Sequence, residues 1–515
     1  MKKRCLILSL ILASFILVTG CSSDSTDNAT TDKHVEVIRL AGGTDWGSPN
    51  PFLNVGRGPG IGKTKLIFDS LLEADESGII PWLATEWSVE GNVFTFKLKD
   101  GAAFHDGTPL TTADVAFTID YYKAHPPVSN PISNNLIQSY EIVDPGTIKI
   151  SVEKPLATTI AKLGSFQILP KHIWEKVADP ATFNSPEAFI GSGPYKFSSY
   201  DAAAGSYEFI AYEDYNIAKP AADKIQFVPV SDALLAFENN EIDICDVPVD
   251  VLEKYEQDDS VGIITKDNDM GYRILINFEK IPAFNDLNLR AALYQGIDRQ
   301  GIVDKVFRGS GAVGSAGYVP PTNIFFSDNV KTYDYNKEAA LAAFKDKNIQ
   351  VKIAVGNSGA DVKIAELVKL NLEEIGIGVD MAAYDTQVRD DKVYSGDYEM
   401  AIVGNGGWGR EPDYLRTIYS ANSKNKAKSP ASMGPIGWDN PDITQLAEDQ
   451  LKEMDPEKRK EMFKALQDKI SQEIPIIVLA TQTTNVIYRP DYYDGWTKTY
   501  DYQQFEQNRL SYVEQ

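Results

Sequence analysis

The sequence predicts an α/β protein of about three domains, and three observations carry that expectation. At roughly 150 residues per domain, a chain of 515 residues is long enough for several hydrophobic cores. A composition that is 43% hydrophobic and 10% aromatic excludes wholesale disorder. From Asn285 onward, strand-like runs alternate with helix-period runs, the pattern of helices packed against a sheet. With 73 acidic against 50 basic residues and a formal charge of −23, an extended phosphate-binding surface is excluded, and no nucleic acid partner is expected. Three cysteines and four histidines exclude a disulfide scaffold and argue against a cysteine- or histidine-rich metal centre.

Along the chain, Lys2, Lys3 and Arg4 precede an apolar-rich run from Leu6 to Val18. The run is too short to span a bilayer and suits the core of an export signal. It ends in Leu17-Val18-Thr19-Gly20-Cys21, which resembles a bacterial lipoprotein processing site. That resemblance implies cleavage after Gly20 and lipidation of Cys21, whose acyl chains would anchor the protein to a membrane. The plainer reading is a secretory leader with an incidental cysteine. Loss of residues 1–20 would remove three positive charges and move the formal charge to −26. Ser22 to His34 are polar and aperiodic and read as a tether. Cys245 then has no disulfide partner and reads as a buried, inert thiol.

Val35–Leu40 alternates as a strand and leads into a Gly/Pro-rich loop over 41–62, followed by a helix over Lys63–Glu73 with Leu66, Ile67, Ser70 and Leu71 on one face. Val93–Leu98 is a strand, and Thr111 is placed to cap a helix through Val115, Ile119 and Tyr122. Strands at 139–143 and 147–152 flank the turn Asp144-Pro145-Gly146. Further strands are expected at 206–212, 224–230 and 272–278, with a helix over 232–238. The closing half reads as strands at 351–355, 378–383, 398–403, 476–480 and 484–488, with helices at 443–453 and 456–473.

Three blocks carry a family resemblance. The first runs through Pro81-Trp82-Leu83-Ala84-Thr85-Glu86-Trp87 and Phe104-His105-Asp106-Gly107 to Asp114-Val115. The second is Gly191-Ser192-Gly193-Pro194-Tyr195. The third is Asn288-Leu289-Arg290-Ala291-Ala292-Leu293 with Ile297-Asp298-Arg299. Together they resemble the peptide/nickel group of ABC-importer solute-binding proteins (family 5). The resemblance implies a periplasmic-binding-protein type of α/β fold: two lobes joined by a hinge, with an additional domain on the first lobe. On that frame, lobe I takes 35–52, 190–273 and 484–515, the additional domain 53–189 and lobe II 274–483. It also implies a solute held between the lobes, an ABC permease as partner, and an extracytoplasmic place, at the outer face of the plasma membrane or facing the periplasm. A monomer is expected, and no cofactor. The blocks themselves are scaffold features: Asp298-Arg299 can pair at a helix entrance, and Gly191 and Gly193 fall near where the family's chain crosses between lobes. The ligand site has to be argued separately.

Gly56 to Thr64 is not a phosphate loop, because Arg57 stands where that motif needs its first glycine and Pro59 lacks an N–H. Arg57 reads either as a carboxylate anchor or as a solvated arginine. Trp46 follows the first strand, and Trp408, Arg410 and Asp413 follow the strand ending at Val403; aromatic and basic residues at strand ends suit a cleft. Peptide-binding members commonly place an aspartate four residues before the proline that stands here as Pro412; this chain has Trp408 there. Asp413 and Glu411 could replace that aspartate only with different geometry. Tyr384, near a strand end, completes the expected ligand-binding set of Trp46, Arg57, Tyr384, Trp408, Arg410 and Asp413. No Gly-x-Ser-x-Gly or His-Glu-x-x-His motif points to catalysis, so the chain reads as a non-enzyme. The alternatives are an exported hydrolase, whose two acids need not be close in sequence, and a surface receptor built on the same binding fold.

Overall fold

Ten strands follow one another edge to edge across the main sheet of the computed structural model, which describes residues 34–514 apart from 57, 133–134, 407, 409–410, 427–431 and 499–504. The leader, Cys21, Arg57 and Arg410 therefore lie outside the described residues. The order is Gly378–Tyr384, Gln350–Gly356, Met400–Gly406, Gly262–Ile276, Ile476–Tyr488, Ile244–Val247, Val35–Gly42, Ala222–Pro229, Ser206–Ala211 and Tyr195–Asp201. A short strand, Gly311–Val313, joins as an eleventh by pairing with Ile476–Tyr488. The first strand runs parallel to both neighbours, so the carboxyl ends of Val35–Gly42, Ile244–Val247 and Ala222–Pro229 point the same way. A second, four-stranded antiparallel sheet (Ala84–Glu90, Val93–Leu98, Thr147–Val152, Ile137–Asp144) lies within residues 84–152. Its alternation is that of the sequence, with Phe94, Phe96 and Leu98 buried on one face.

Two large hydrophobic cores divide this framework. One is drawn wholly from Tyr272 to Ala480. The other gathers Val35 through Phe227 with Ile244, Val486 and Tyr493 to Val513. Among the described residues two long strands pass from one core to the other. Gly262–Ile276 pairs with Ile476–Tyr488 throughout, but the register slips between Lys266 and Met270, opposite Thr484 and Gln482. A bulge bends and twists a strand where it occurs; here it sits where the two cores part. Across the same gap Arg308, at φ +52°, pairs with Asp250 at 2.5 Å. Elsewhere Ala157 N donates to the carbonyl of Leu451 at 2.8 Å, joining the residue 53–189 segment to the chain of the Tyr272–Ala480 core.

Local chemistry accounts for most elements. Thr111 caps helix Thr112–Ala124 in a full capping box with Asp114, as its position predicts. Asp455 and Pro456 open helix Pro456–Glu473 at the expected residue. Several expectations need correction. The helix expected at Lys63–Glu73 runs instead over Gly58–Ile67. Pro59 is tolerated in a first turn, where its missing N–H costs nothing, and Leu72–Asp75 is a strand. The two closing strands are one strand, Ile476–Tyr488. Asp298 accepts from Gly301 N as a cap, while Arg299 turns away to the carbonyls of Gly314 and Tyr333. Gly191 and Gly193 allow close packing of backbone: a Cβ on either would lie 2.0 and 2.5 Å from the carbonyl oxygens of Ile67 and Leu66. His34, placed in the tether by sequence, bonds Asp223 and the Pro220 carbonyl.

Candidate functional site

A cavity of about 260 Å³ lies at the carboxyl ends of the parallel strands, lined by Leu40, Ala41, Phe227 and the Ile244–Asp246 segment. In open α/β sheets ligands bind beyond the carboxyl ends of strands. Trp46, Pro59, Lys63 and Gln507 form its other walls. The Trp46 loop is fixed by hydrogen bonds. Asp45 accepts from Tyr200 Oη at 2.6 Å, and the Trp46 N–H donates to Tyr207 Oη at 2.7 Å. The Tyr200 bond is the main reason the Asp45 carboxyl sits below its usual pKa. Gly60 lets the following helix pack against this loop, since a Cβ there would stand 2.3 Å from the Val55 carbonyl and 3.1 Å from that of Trp46. The half-buried Trp46 ring is thereby presented on a rigid loop.

Lys63 is the unexpected member. It is 4% exposed, in the buried face of helix Gly58–Ile67, with Nζ 3.8 Å from the centre of the Phe227 ring and 4.8 Å from that of Tyr207. Among the described residues its one hydrogen bond, to the Pro59 carbonyl, is long at 3.4 Å. Burial pushes its pKa down to about 7, against an opposing pull from Glu506. Sequence reasoning missed it, although the signal was present: Lys63 stands three and four residues before Leu66 and Ile67, on the face that spacing assigned to the core. Cys245 also lines the cavity; burial raises its thiol to about 12, in keeping with an unreactive cysteine.

The other expected residues lie apart from this cavity. Trp408 is 1% exposed and stacks on Tyr318 with ring centres 4.2 Å apart and planes at 15°. Its ring lies flat over Gly271, where a Cβ would come within 1.9 Å. Arg273 faces the Tyr318 ring from 5.7 Å and bonds Asn405. The Asp413 carboxylate is engaged by Arg416, at 2.9 and 3.0 Å, and by Gln450 at 2.6 Å. Glu411 pairs with Arg459. Tyr384 ends the edge strand of the sheet, with five strands between it and Val35–Gly42, and Lys392 Nζ lies 5.1 Å from its ring centre. The structure thus gathers Trp46 with Lys63, places Trp408 in an aromatic cluster of the other core, and leaves Tyr384 and Asp413 outside both. Among the described residues no three His, Cys, Asp or Glu side chains gather into a metal site.

Residues 78–427 match the family model described as bacterial extracellular solute-binding proteins, family 5 Middle. The chain belongs to that family. As a family-5 solute-binding protein it has relatives along most of its length. The dipeptide-binding protein of Escherichia coli is 23% identical, covering 79% of this chain and 81% of its own. The oligopeptide-binding protein OppA of Bacillus subtilis is 24% identical over 92% of this chain and 94% of its own. The crystal structure of the ABC transporter substrate-binding protein CtaP of Listeria monocytogenes superposes with a TM-score of 0.76 at 25% identity, covering 94% of this chain and all of that one. NikZ of Campylobacter jejuni, solved in complex with Ni(L-His), gives 0.70 at 21% identity, over 93% of this chain and 99% of that one, and speaks to the fold alone. The fold of this family-5 protein is accordingly the two-lobed α/β periplasmic-binding-protein type.

Proposed function

We propose that this chain is the lipid-anchored, extracytoplasmic substrate-binding component of an ABC importer, capturing a small peptide-like or chelated-metal solute between its lobes and delivering it to the membrane permease. Membership of family 5 carries the reading, and the cavity at the strand ends gives it a place. On this reading lobe I comprises 35–52, 190–273 and 484–515, with 53–189 as its additional domain and 274–483 as lobe II. The separate cores and the bulge between Lys266 and Met270 support that division and draw the hinge to those residues. Solute held by both lobes would favour the closed form through its differential affinity. Two of the relatives named above are peptide-binding proteins and a third is solved with a nickel chelate, and none supports the hydrolase alternative.

Native mass spectrometry of the purified protein is expected to recover a non-covalent small solute. Adding that solute at a hundred times its Kd should stabilise the protein by about 2.7 kcal/mol, read as a rise in Tm, with the solute recovered chemically intact. Turnover of the solute would count against a binding role. On this reading attachment rests on Cys21; among the described residues no helix is long and apolar enough to cross a membrane. A Cys21→Ala variant is expected to move from the membrane fraction to the soluble extracytoplasmic fraction; an unchanged membrane fraction would overturn lipid anchoring.

A further inference from the structure

Lysine is rarely buried without a charged partner, because an ammonium ion taken from water loses several kcal/mol of hydration. Lys63 is buried to 4% exposure, yet among the described residues no carboxylate lies within ion-pair distance of its Nζ. Two aromatic faces and one long bond to a carbonyl leave most of its donor capacity unused. The rest of the wall is mainly apolar: Leu40, Ala41, Pro59, Phe227, Ile244 and Val486. The ring of Trp46 closes the same space. A cationic donor in an apolar cavity is complementary to a small anion carried on an apolar body. Of the acidic residues that share the lining, Asp246 is paired with Lys266 at 2.8 Å, while Glu506 would repel a dianion such as a phosphate ester, so one negative charge fits better than two.

We propose that Lys63 receives a single carboxylate of the solute in the cavity walled by Trp46 and Phe227, making it the specificity-determining residue of the lobe I side of the site. The inference rests on the peptide-like reading above and names the group on the solute that is recognised. The carboxylate can be a peptide's terminal group or an acidic side chain; the chemistry at Nζ is the same. Binding would also draw in a proton. With Lys63 near pH 7 in its pKa, and Asp246, Glu506, Tyr207 and Cys245 the titratable groups facing it, the amine is mostly neutral at pH 8. A bound carboxylate favours the ammonium form and raises that pKa.

The test exposes the full chain to an equimolar mixture of di- to pentapeptides, half as free acids and half as C-terminal amides, and reads retained species by mass spectrometry after ultrafiltration. The expected result is at least tenfold enrichment of free acids over neutral amides, with the preference lost in Lys63→Met. Enrichment of amides that carry Asp or Glu, again lost in Lys63→Met, supports the same site with a side-chain carboxylate. Equal retention of acids and neutral amides by the unmodified protein overturns the role of Lys63 and leaves the transport reading standing. Retention of no peptide at all overturns the peptide-like reading and this inference with it. Lys63→Met should melt at or above the unmodified protein at pH 7, since it removes a buried charge. Should that variant fail to fold, calorimetry of the unmodified protein with its retained peptide at pH 8, in phosphate and in Tris, gives an independent readout. Uptake approaching one proton per peptide is expected, and no uptake overturns the proposal.

Discussion

Replacing Arg509 with methionine is expected to lower the unfolding free energy by about 3–5 kcal/mol, the range for breaking a buried ion pair from one side. Arg509 is fully buried and donates to Asp69 Oδ1 at 2.7 Å and to the Phe68 carbonyl at 2.6 Å, with Glu73 a further 3.7 Å contact. The same Asp69 oxygen accepts from Trp82 Nε1 and Tyr215 Oη, each at 2.9 Å. Burial already pushes the Asp69 carboxyl upward against the pull of Arg509. Burial would raise the Glu73 carboxyl, but Lys65, Arg509 and the Ser70 hydrogen bond hold it below its usual value. Without the guanidinium, two carboxyls would share one dry site and one of them would have to take a proton. Urea unfolding at pH 7 measures the loss. Asp69→Asn combined with Arg509→Met should recover part of it, because no lone charge is then left buried. A single variant within about 1 kcal/mol of the parent would mean that the site rehydrates on losing its arginine.

Trp408→Ala should cost about 3–5 kcal/mol, the range for emptying a buried aromatic position, and should also weaken solute binding at least tenfold. The first effect follows from its 1% exposure and its stack on Tyr318. The second follows because the indole packs over Gly271, beside the bulge between Lys266 and Met270 where the hinge is proposed, so emptying that position loosens the closure that holds solute. Gly271→Val makes the complementary perturbation: a side chain there cannot share space with the indole and must displace it. Both variants should lose affinity together when titrated with the co-purified solute. If Gly271→Val folds and binds normally, the Trp408 ring has no part in shaping the site.

The sequence was legible wherever local chemistry decides structure. The alternation in Val93–Leu98, the Thr111–Asp114 cap and the helix opening at Pro456 all stand at their expected residues. It was illegible where the deciding atoms are far away in the chain. Strand Ile476–Tyr488 reads as two because Thr481, Gln482, Thr483 and Thr484 interrupt its apolar pattern. Those polar residues lie where the strand passes from one core to the other, beside the bulge; Thr481 is buried there and Gln482, Thr483 and Thr484 are half-buried. The polar run that begins at Lys266 likewise hides the first half of strand Gly262–Ile276 from the apolar pattern, although Lys266 itself is buried and paired with Asp246. Trp408 reads as a ligand contact because nothing near it announces Gly271, which makes room for its ring. Asp413 likewise reads as available, since Gln450, which shares its carboxylate, is remote in sequence. Lys63 is the opposite case: its burial was implied by spacing alone.

The order in which the chain threads the two cores also sets an order in time. The Tyr272–Ala480 core is complete within one continuous stretch, so it can close as soon as that stretch is made. The flanking core cannot, because Val35–Gly42 must await Ile244–Val247 and then Ile476–Tyr488, and Asp69 must await Arg509, 440 residues later. Such distant pairings form slowly and leave partly built surfaces exposed meanwhile. A chain emerging in sequence order therefore assembles its interior first and its ends last. The cavity that holds Lys63 requires Val486 and Gln507 beside Leu40, which places it among the last parts of the molecule to come into existence. Capture of a solute would thus be reserved for finished protein, and a half-made chain would have nothing to present to a permease.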